Sequence, residues 1–275
     1  MIALTVAALL AYQVIDSAAN DNLAPQISVN SETLSISVND GEEALLQGIV
    51  AKDNVDGDVT SSIIVESVAL FDKDGKVKVT YVAFDKAGNV SKYVRDVEYY
   101  DYESPKFTLN TSFAFAQNSN TDILSMIKVT DIFDGDISHR VRATTMYDTS
   151  VGSVGNHDVE FRVTNSIGDT VELILPVNVY AQGTYSGKLN LSDYLIYLPI
   201  NSSFDKSDYL RSFNVGSDKV DLTGYIPSGI SVKASGEVDT SVPGVYSVDY
   251  VVTDTRDKSG FTYSAMAKLI VVVEE

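Results

Sequence analysis

The chain has no cysteine, no tryptophan and only 2 histidines in 275 residues. Without cysteine there can be no disulfide, no thiolate metal site, no cysteine nucleophile and no lipidated cysteine of a lipoprotein anchor. Without tryptophan there is no indole platform for sugar rings, although 16 tyrosines remain. Basic residues are scarce: 20 Lys and Arg stand against 38 Asp and Glu, a net charge of −18. That balance excludes nucleic acid as a partner, because its phosphates demand a basic footprint. It also disfavours electrostatic docking on anionic lipid. What the chain does have is an apolar fraction of 44%, enough for packed cores and too much for wholesale disorder.

Charge is missing altogether from Met1 to Ile15. Ala and Leu favour a helix there. The run matches the apolar core of a signal peptide and falls short of the ~20 residues that span a bilayer. Ser17-Ala18-Ala19 offers a small-x-small cleavage pattern, yet no Lys or Arg precedes it. Residues 1–19 therefore read as a short apolar helix with three roles open: a signal or membrane anchor, a helix retained for assembly, or one packed on its own domain. The first two imply export, and any membrane contact runs through this segment.

Beyond it the sequence repeats. Asp53-Asn54-Val55-Asp56-Gly57-Asp58-Val59-Thr60 returns as Asp131-Ile132-Phe133-Asp134-Gly135-Asp136-Ile137-Ser138. A Gly-led alternating strand follows each copy. Gly75 leads to Val77, Val79, Tyr81 and Ala83, then to Asp85 and Gly88-Asn89. Gly155 leads to Val159, Phe161 and Val163, then to Asn165 and Gly168-Asp169. A third such strand runs from Val242 to Asp254. Alternation with period two predicts half-buried strands, and a repeat near ~80 residues predicts tandem β-domains. The expected fold class is all-β, with three tandem immunoglobulin-like β-sandwich modules behind the apolar helix. They span 24–101, 104–181 and 184–275, with Pro25 and Pro105 opening the first two. The third is divergent: its opening half, 191–221, lacks the Asp-Gly-Asp signature, and only Val220-Asp221-Leu222-Thr223 echoes it.

The opening Pro, the Asp-x-x-Asp-Gly-Asp-(Val/Ile)-(Thr/Ser) loop and the strand Pro243-Gly244-x-Tyr246-x-Val248-x-Tyr250 together resemble bacterial immunoglobulin-like repeats. These are found along Gram-positive surface proteins and in some pesticidal toxins, and look similar to hyalin-type repeats. The resemblance covers the first two modules and the second half of the third. It implies the sandwich fold, whereas such modules act as stalks, spacers and binding domains alike.

Two readings are open for Asp53, Asp56 and Asp58 and their echoes Asp131, Asp134 and Asp136. Calcium takes six to eight hard oxygens, and Asp residues spaced around a Gly can converge on one ion. Alternatively, Asp-Gly is a preferred turn pair whose carboxylates cap their own amides. An EF-hand loop would need a glutamate at the position held by Ile64. Asp85 and its counterpart Asn165 fall in the later turn and could approach the same end of the sandwich. Calcium is the one cofactor suggested. His139 and His157 occur only in the second module, where the first has Ser61 and Val77, and read as surface residues. There is no nucleophile elbow, phosphate-cradling loop, zinc spacing or nucleotide fingerprint. No enzyme is expected.

Tyr99, Tyr100 and Tyr102 at the first linker read as packing between modules. Tyr194, Tyr197 and Tyr209, in the divergent part of the third, read as a candidate binding surface, since tyrosine offers rigid amphipathic area. The function expected is a non-catalytic stalk or adhesin segment at the cell surface or envelope. It would display a binding head for a protein or glycan ligand. Two alternatives stand beside it: a filament subunit self-assembling through residues 1–19, and an accessory carbohydrate-binding region of a larger surface enzyme.

Overall fold

Strict alternation forms strand throughout the computed structural model, which describes residues 21–71, 76–119, 121–143 and 153–275. The described residues hold β-strands and short 3-10 turns, with no α-helix among them. The helix expected over 1–19 lies outside the described residues.

One pattern of seven strands occurs three times. The first set is β1 (Gln26–Val29), β2 (Thr33–Ile36), β3 (Ile49–Asp53), β4 (Gly57–Asp58), β5 (Ile64–Val68), β6 (Lys76–Phe84) and β7 (Val90–Tyr99). The second is β8 (Lys106–Leu109), β9 (Ala114–Ala116), β10 (Ile127–Asp131), β11 (Gly135–Asp136), β12 (Arg142–Ala143), β13 (Gly155–Thr164) and β14 (Thr170–Tyr180). The third is β15 (Lys188–Leu191), β16 (Leu195–Pro199), β17 (Leu210–Val215), β18 (Asp218–Asp221), β19 (Ile230–Ser235), β20 (Gly244–Asp254) and β21 (Tyr263–Glu274). Each set makes a three-stranded sheet and a four-stranded one, ordered β1-β3-β4 with β2-β7-β6-β5 in the first and equivalently in the others. The second strand pairs parallel to the seventh in every set.

Period-two burial supplies the cores. Val77, Val79 and Tyr81 of β6 are fully buried, as are Val159 and Phe161 of β13 and Val248, Tyr250 and Val252 of β20. The facing position on the last strand is Leu175 in β14 and Leu269 in β21. In β7 it is Arg95, only 2% exposed. Its guanidinium donates to Ser31 O (2.9 Å), Gln47 O (2.7 Å) and Asn30 Oδ1 (3.3 Å).

The chain divides into two compact units. The first holds the β1–β7 set with the turn Ser166–Asp169, around a core that includes Leu34, Ile36, Ile49 and Val97. The second holds both remaining sets around one continuous core running from Phe107 to Val273. The strand sets on either side of 181–184 contribute to that core together. Backbone and side-chain bonds tie the sets together: Lys268 N–H donates to Ser112 Oγ (2.7 Å), and Lys106 Nζ lies 2.7 Å from Glu274 Oε1.

Candidate functional site

The acidic corner of the first unit is built by two strand ends and the segment entering β1. Asp53 closes β3 and is 9% exposed. Its Oδ1 accepts the N–H groups of Val55 (2.7 Å) and Asp56 (2.8 Å), which folds the Asp-rich loop back on itself. Gly57, at φ +74°, takes the left-handed position this turn needs. Asp85 follows β6 and accepts Asn89 N–H (2.8 Å) and Asn89 Nδ2 (2.7 Å). Burial works against its charge, but the Asn89 side chain and the amides of Asn89, Gly88 and Ala87 outweigh it and hold the carboxyl below its ordinary range. Asn89 Nδ2 also reaches Asp21 O (3.1 Å) and Leu23 O (3.3 Å), fixing the entering segment here. One carboxylate oxygen from each of Asp21, Asp53 and Asp85 lies within 4.8 Å of one from both others. Asp53 Oδ2 and Asp21 Oδ2 are buried and accept no hydrogen bond.

The same corner is neutralised in both sets of the second unit. Asp131, 7% exposed, accepts Phe133 N–H (2.9 Å) and Asp134 N–H (2.8 Å) at Oδ1, as Asp53 does. Its Oδ2, however, accepts Asn165 Nδ2 at 3.0 Å. In the third set β17 ends in Val215, with no acid there, and Asp254 is met by Arg256 through Nε (2.9 Å) and Nη2 (2.7 Å). Those bonds hold Asp254 below the usual carboxylate range against the cost of burial. The corner thus pairs an acid with an amide in the second set and with a guanidinium in the third, and gathers three acids in the first.

The remaining loop acids do not converge into two equivalent sites. Asp56 takes Lys86 N–H (2.8 Å) and Lys86 Nζ (3.0 Å), which lower its pKa. Asp58 caps Thr60 N–H at 2.9 Å, and Asp136 caps Ser138 N–H at 3.0 Å. Asp134 pairs with Arg140 Nη1 at 2.6 Å. Of the six acids singled out by the repeat, only Asp53 joins a carboxylate cluster among the described residues. Its companions are Asp85, placed near it by turn spacing, and Asp21, for which the sequence carries no signal beyond an Asp before Pro25.

The tyrosines are drawn inward. Tyr194 is buried in the second unit's core. Tyr197 accepts Phe107 N–H at its hydroxyl (3.1 Å), and Lys106 Nζ sits 4.7 Å over its ring. Burial pushes the Tyr197 hydroxyl up to about 12. Tyr209 is half-buried and stacks on Phe204, centroids 5.6 Å apart. All three pack against neighbours because the divergent segment supplies β16 and β17 to the shared core. The exposed aromatic of this region is Tyr225, 70% exposed. It borders a cleft of about 410 Å³ with Asp208, Arg211 and Leu222. Alternation could not find it, since Tyr225 lies in the irregular stretch between β18 and β19. His139 lines a second hollow with Asp136 and Ser138, while His157 Nε2 lies 2.8 Å from Ser153 O.

No protein-family model matches the chain. Over 214 residues it is 30% identical to the pesticidal crystal protein Cry22Aa of Bacillus thuringiensis, covering 76% of this chain and 28% of that protein. It is 24% identical over 197 residues to an uncharacterized 81.3 kDa protein of Acholeplasma phage L2, covering 66% and 26%. The chain thus spans little more than a quarter of the curated relatives it matches. Among solved structures it is similar to Drosophila N-cadherin EC1-3, at 14% identity over 78% of this chain and 88% of that one, TM-score 0.28. It is also similar to the CBM51-2 and INT domains of Clostridium perfringens ZmpB solved with GlcNAc, at 15% identity over 90% and 44%, TM-score 0.22.

Proposed function

We propose that the chain is a non-catalytic binding segment of an extracellular surface protein, with its recognition face on the third strand set. The repeated seven-strand pattern carries this reading. Repetition multiplies surface and reach, and Asp58, Asp134, Asp136 and Asp254 are spent on turns and ion pairs. Likeness to a stretch of a much larger bacterial protein supports a segment within a multidomain chain.

The cleft beside Tyr225 is the face where a protein or glycan would dock. It combines an exposed ring with the guanidinium of Arg211 and the carboxylate of Asp208. Aromatic and arginine groups supply most of the energy at such contacts. The test is a panel of immobilised glycans and extracellular proteins probed with the whole chain and with Tyr225→Ala. Saturable binding weakened at least about tenfold by the substitution is the expected result, since a hot-spot truncation costs more than about 1.4 kcal/mol. Turnover of a glycosidic, ester or peptide substrate by the purified chain would overturn the non-catalytic reading.

A further inference from the structure

We propose that Asp21, Asp53 and Asp85 hold one calcium ion. Their oxygens are hard donors with no nitrogen or sulfur among them, the set that suits calcium. Their mutual separations, within 4.8 Å, match donors placed at about 2.3–2.6 Å around a common ion.

Acidic clusters are common on proteins, and this one is set apart by its unpartnered oxygens. Asp53 is nine-tenths buried, its Oδ1 is saturated by two backbone amides, and its Oδ2 receives nothing. Asp21 Oδ2 is buried and likewise unpartnered. A buried carboxylate oxygen without a donor costs free energy unless a charge or proton meets it. No ion pair among the described residues reaches Asp21, Asp53 or Asp85, and the nearby Lys86 is engaged by Asp56. The sister corners supply the internal control. Where the structure gives the buried acid an amide, Asn165, or a guanidinium, Arg256, its oxygens are satisfied within the protein. In the first unit a carboxylate, Asp85, follows β6 where Asn165 follows β13 in the second set.

The ion would also fasten the segment entering β1. Asp21 and Leu23 are tied to the corner by Asn89, and calcium would add a bond from the Asp21 side chain to the same point.

Calcium titration calorimetry on the whole chain, freed of metal and held near physiological salt, tests this, with the melting temperature followed in parallel. The expected result is one calcium per chain with a dissociation constant on the order of 10⁻⁴–10⁻³ M, as in extracellular modules. Calcium at about a hundredfold excess should then raise the melting temperature by several degrees. Asp85→Asn should weaken binding at least about tenfold while leaving the fold intact, because it installs the amide that already satisfies Asp131 in the second set. Asp21→Asn, at the entering segment, should weaken binding without touching either strand end. Retention of full affinity in both variants would assign the calcium to the diffuse negative surface and overturn the proposal. So would the absence of any heat or melting shift up to about 10 mM calcium.

Discussion

Replacing Arg95 by leucine puts into β7 the residue type that β14 and β21 carry at the matching position, Leu175 and Leu269. The exchange leaves little cavity, so it isolates three hydrogen bonds: to Ser31 O, Gln47 O and Asn30 Oδ1. Bonds from a charged donor contribute up to about 1.5–3 kcal/mol each. Here the third is long, at 3.3 Å, and all three acceptors belong to exposed residues that water can reach. About 1 kcal/mol per bond is then the appropriate figure, or about 3 kcal/mol in all. Leucine recovers about 1 kcal/mol by ending the desolvation of a buried charge. The net expectation is a loss of about 2 kcal/mol, roughly thirtyfold in an opening equilibrium. Hydrogen exchange read by peptide mass spectrometry suits this test, because it reports each unit separately in the intact chain. Peptides covering β1, β3 and β7 should lose about thirtyfold in protection, and those covering β13 to β21 should keep theirs. Unchanged or increased protection in the first group would refute the reasoning, since charge desolvation would then outweigh the bonds.

Three further outcomes follow from the same geometry. Asn165→Ala removes the one donor to Asp131 Oδ2 and should destabilise the second unit by about 1–3 kcal/mol, read as a lower urea midpoint. Gly236 sits at φ +115°, and a Cβ there would lie 2.2 Å from Ser247 O, so Gly236→Ala should cost at least about 2 kcal/mol and lower the melting temperature measurably. Tyr197 gives a pH dependence. Its folded pKa, raised to about 12, lies above the value near 10 expected in the unfolded chain. As pH climbs past about 10 the unfolded chain ionises first, so the stability contributed by the neutral hydroxyl is present below about 10 and lost towards about 12. The full window corresponds to at most about 2.7 kcal/mol, and Tyr197→Phe should flatten the alkaline fall in unfolding free energy, read from urea curves, by up to that amount. The same variant should be weaker at neutral pH by about 1–3 kcal/mol, with Phe107 N–H left without its acceptor.

The strand pattern was legible because alternation is local. Val77, Val79 and Tyr81 announce a buried face in any sandwich, and Val159, Phe161 and Val163 repeat it. The turn role of Asp58 and Asp136 was legible for the same reason, as each carboxylate caps an amide two residues away. The carboxylate trio was only half legible. Asp85 could be placed near Asp53 by the repeat, but Asp21 arrives through Asn89, a contact across 68 residues that no local rule encodes. Tyr194 and Tyr197 show a different limit. Period and composition say that a tyrosine is amphipathic, and only the sharing of one core by the last two strand sets determines that these point inward. Arg95 departs from the apolar pattern of its strand, yet its three acceptors lie on Asn30, Ser31 and Gln47, distant in sequence.

The parallel pairing of the second and seventh strands has a consequence under load. In the third set β16 and β21 run side by side through five register pairs, from Leu195–Ile270 to Pro199–Glu274. Tension entering at the start of β16 and leaving at the end of β21 acts along both strands, so these bonds are sheared together rather than opened in turn. The corresponding contacts number four pairs in β2–β7 and three in β9–β14. Single-molecule pulling from the two ends should therefore meet its highest rupture force in the third strand set, and shortening β16 with a proline at Tyr197 should lower that force most. Sheets coupled in this way stay closed until several bonds fail at once.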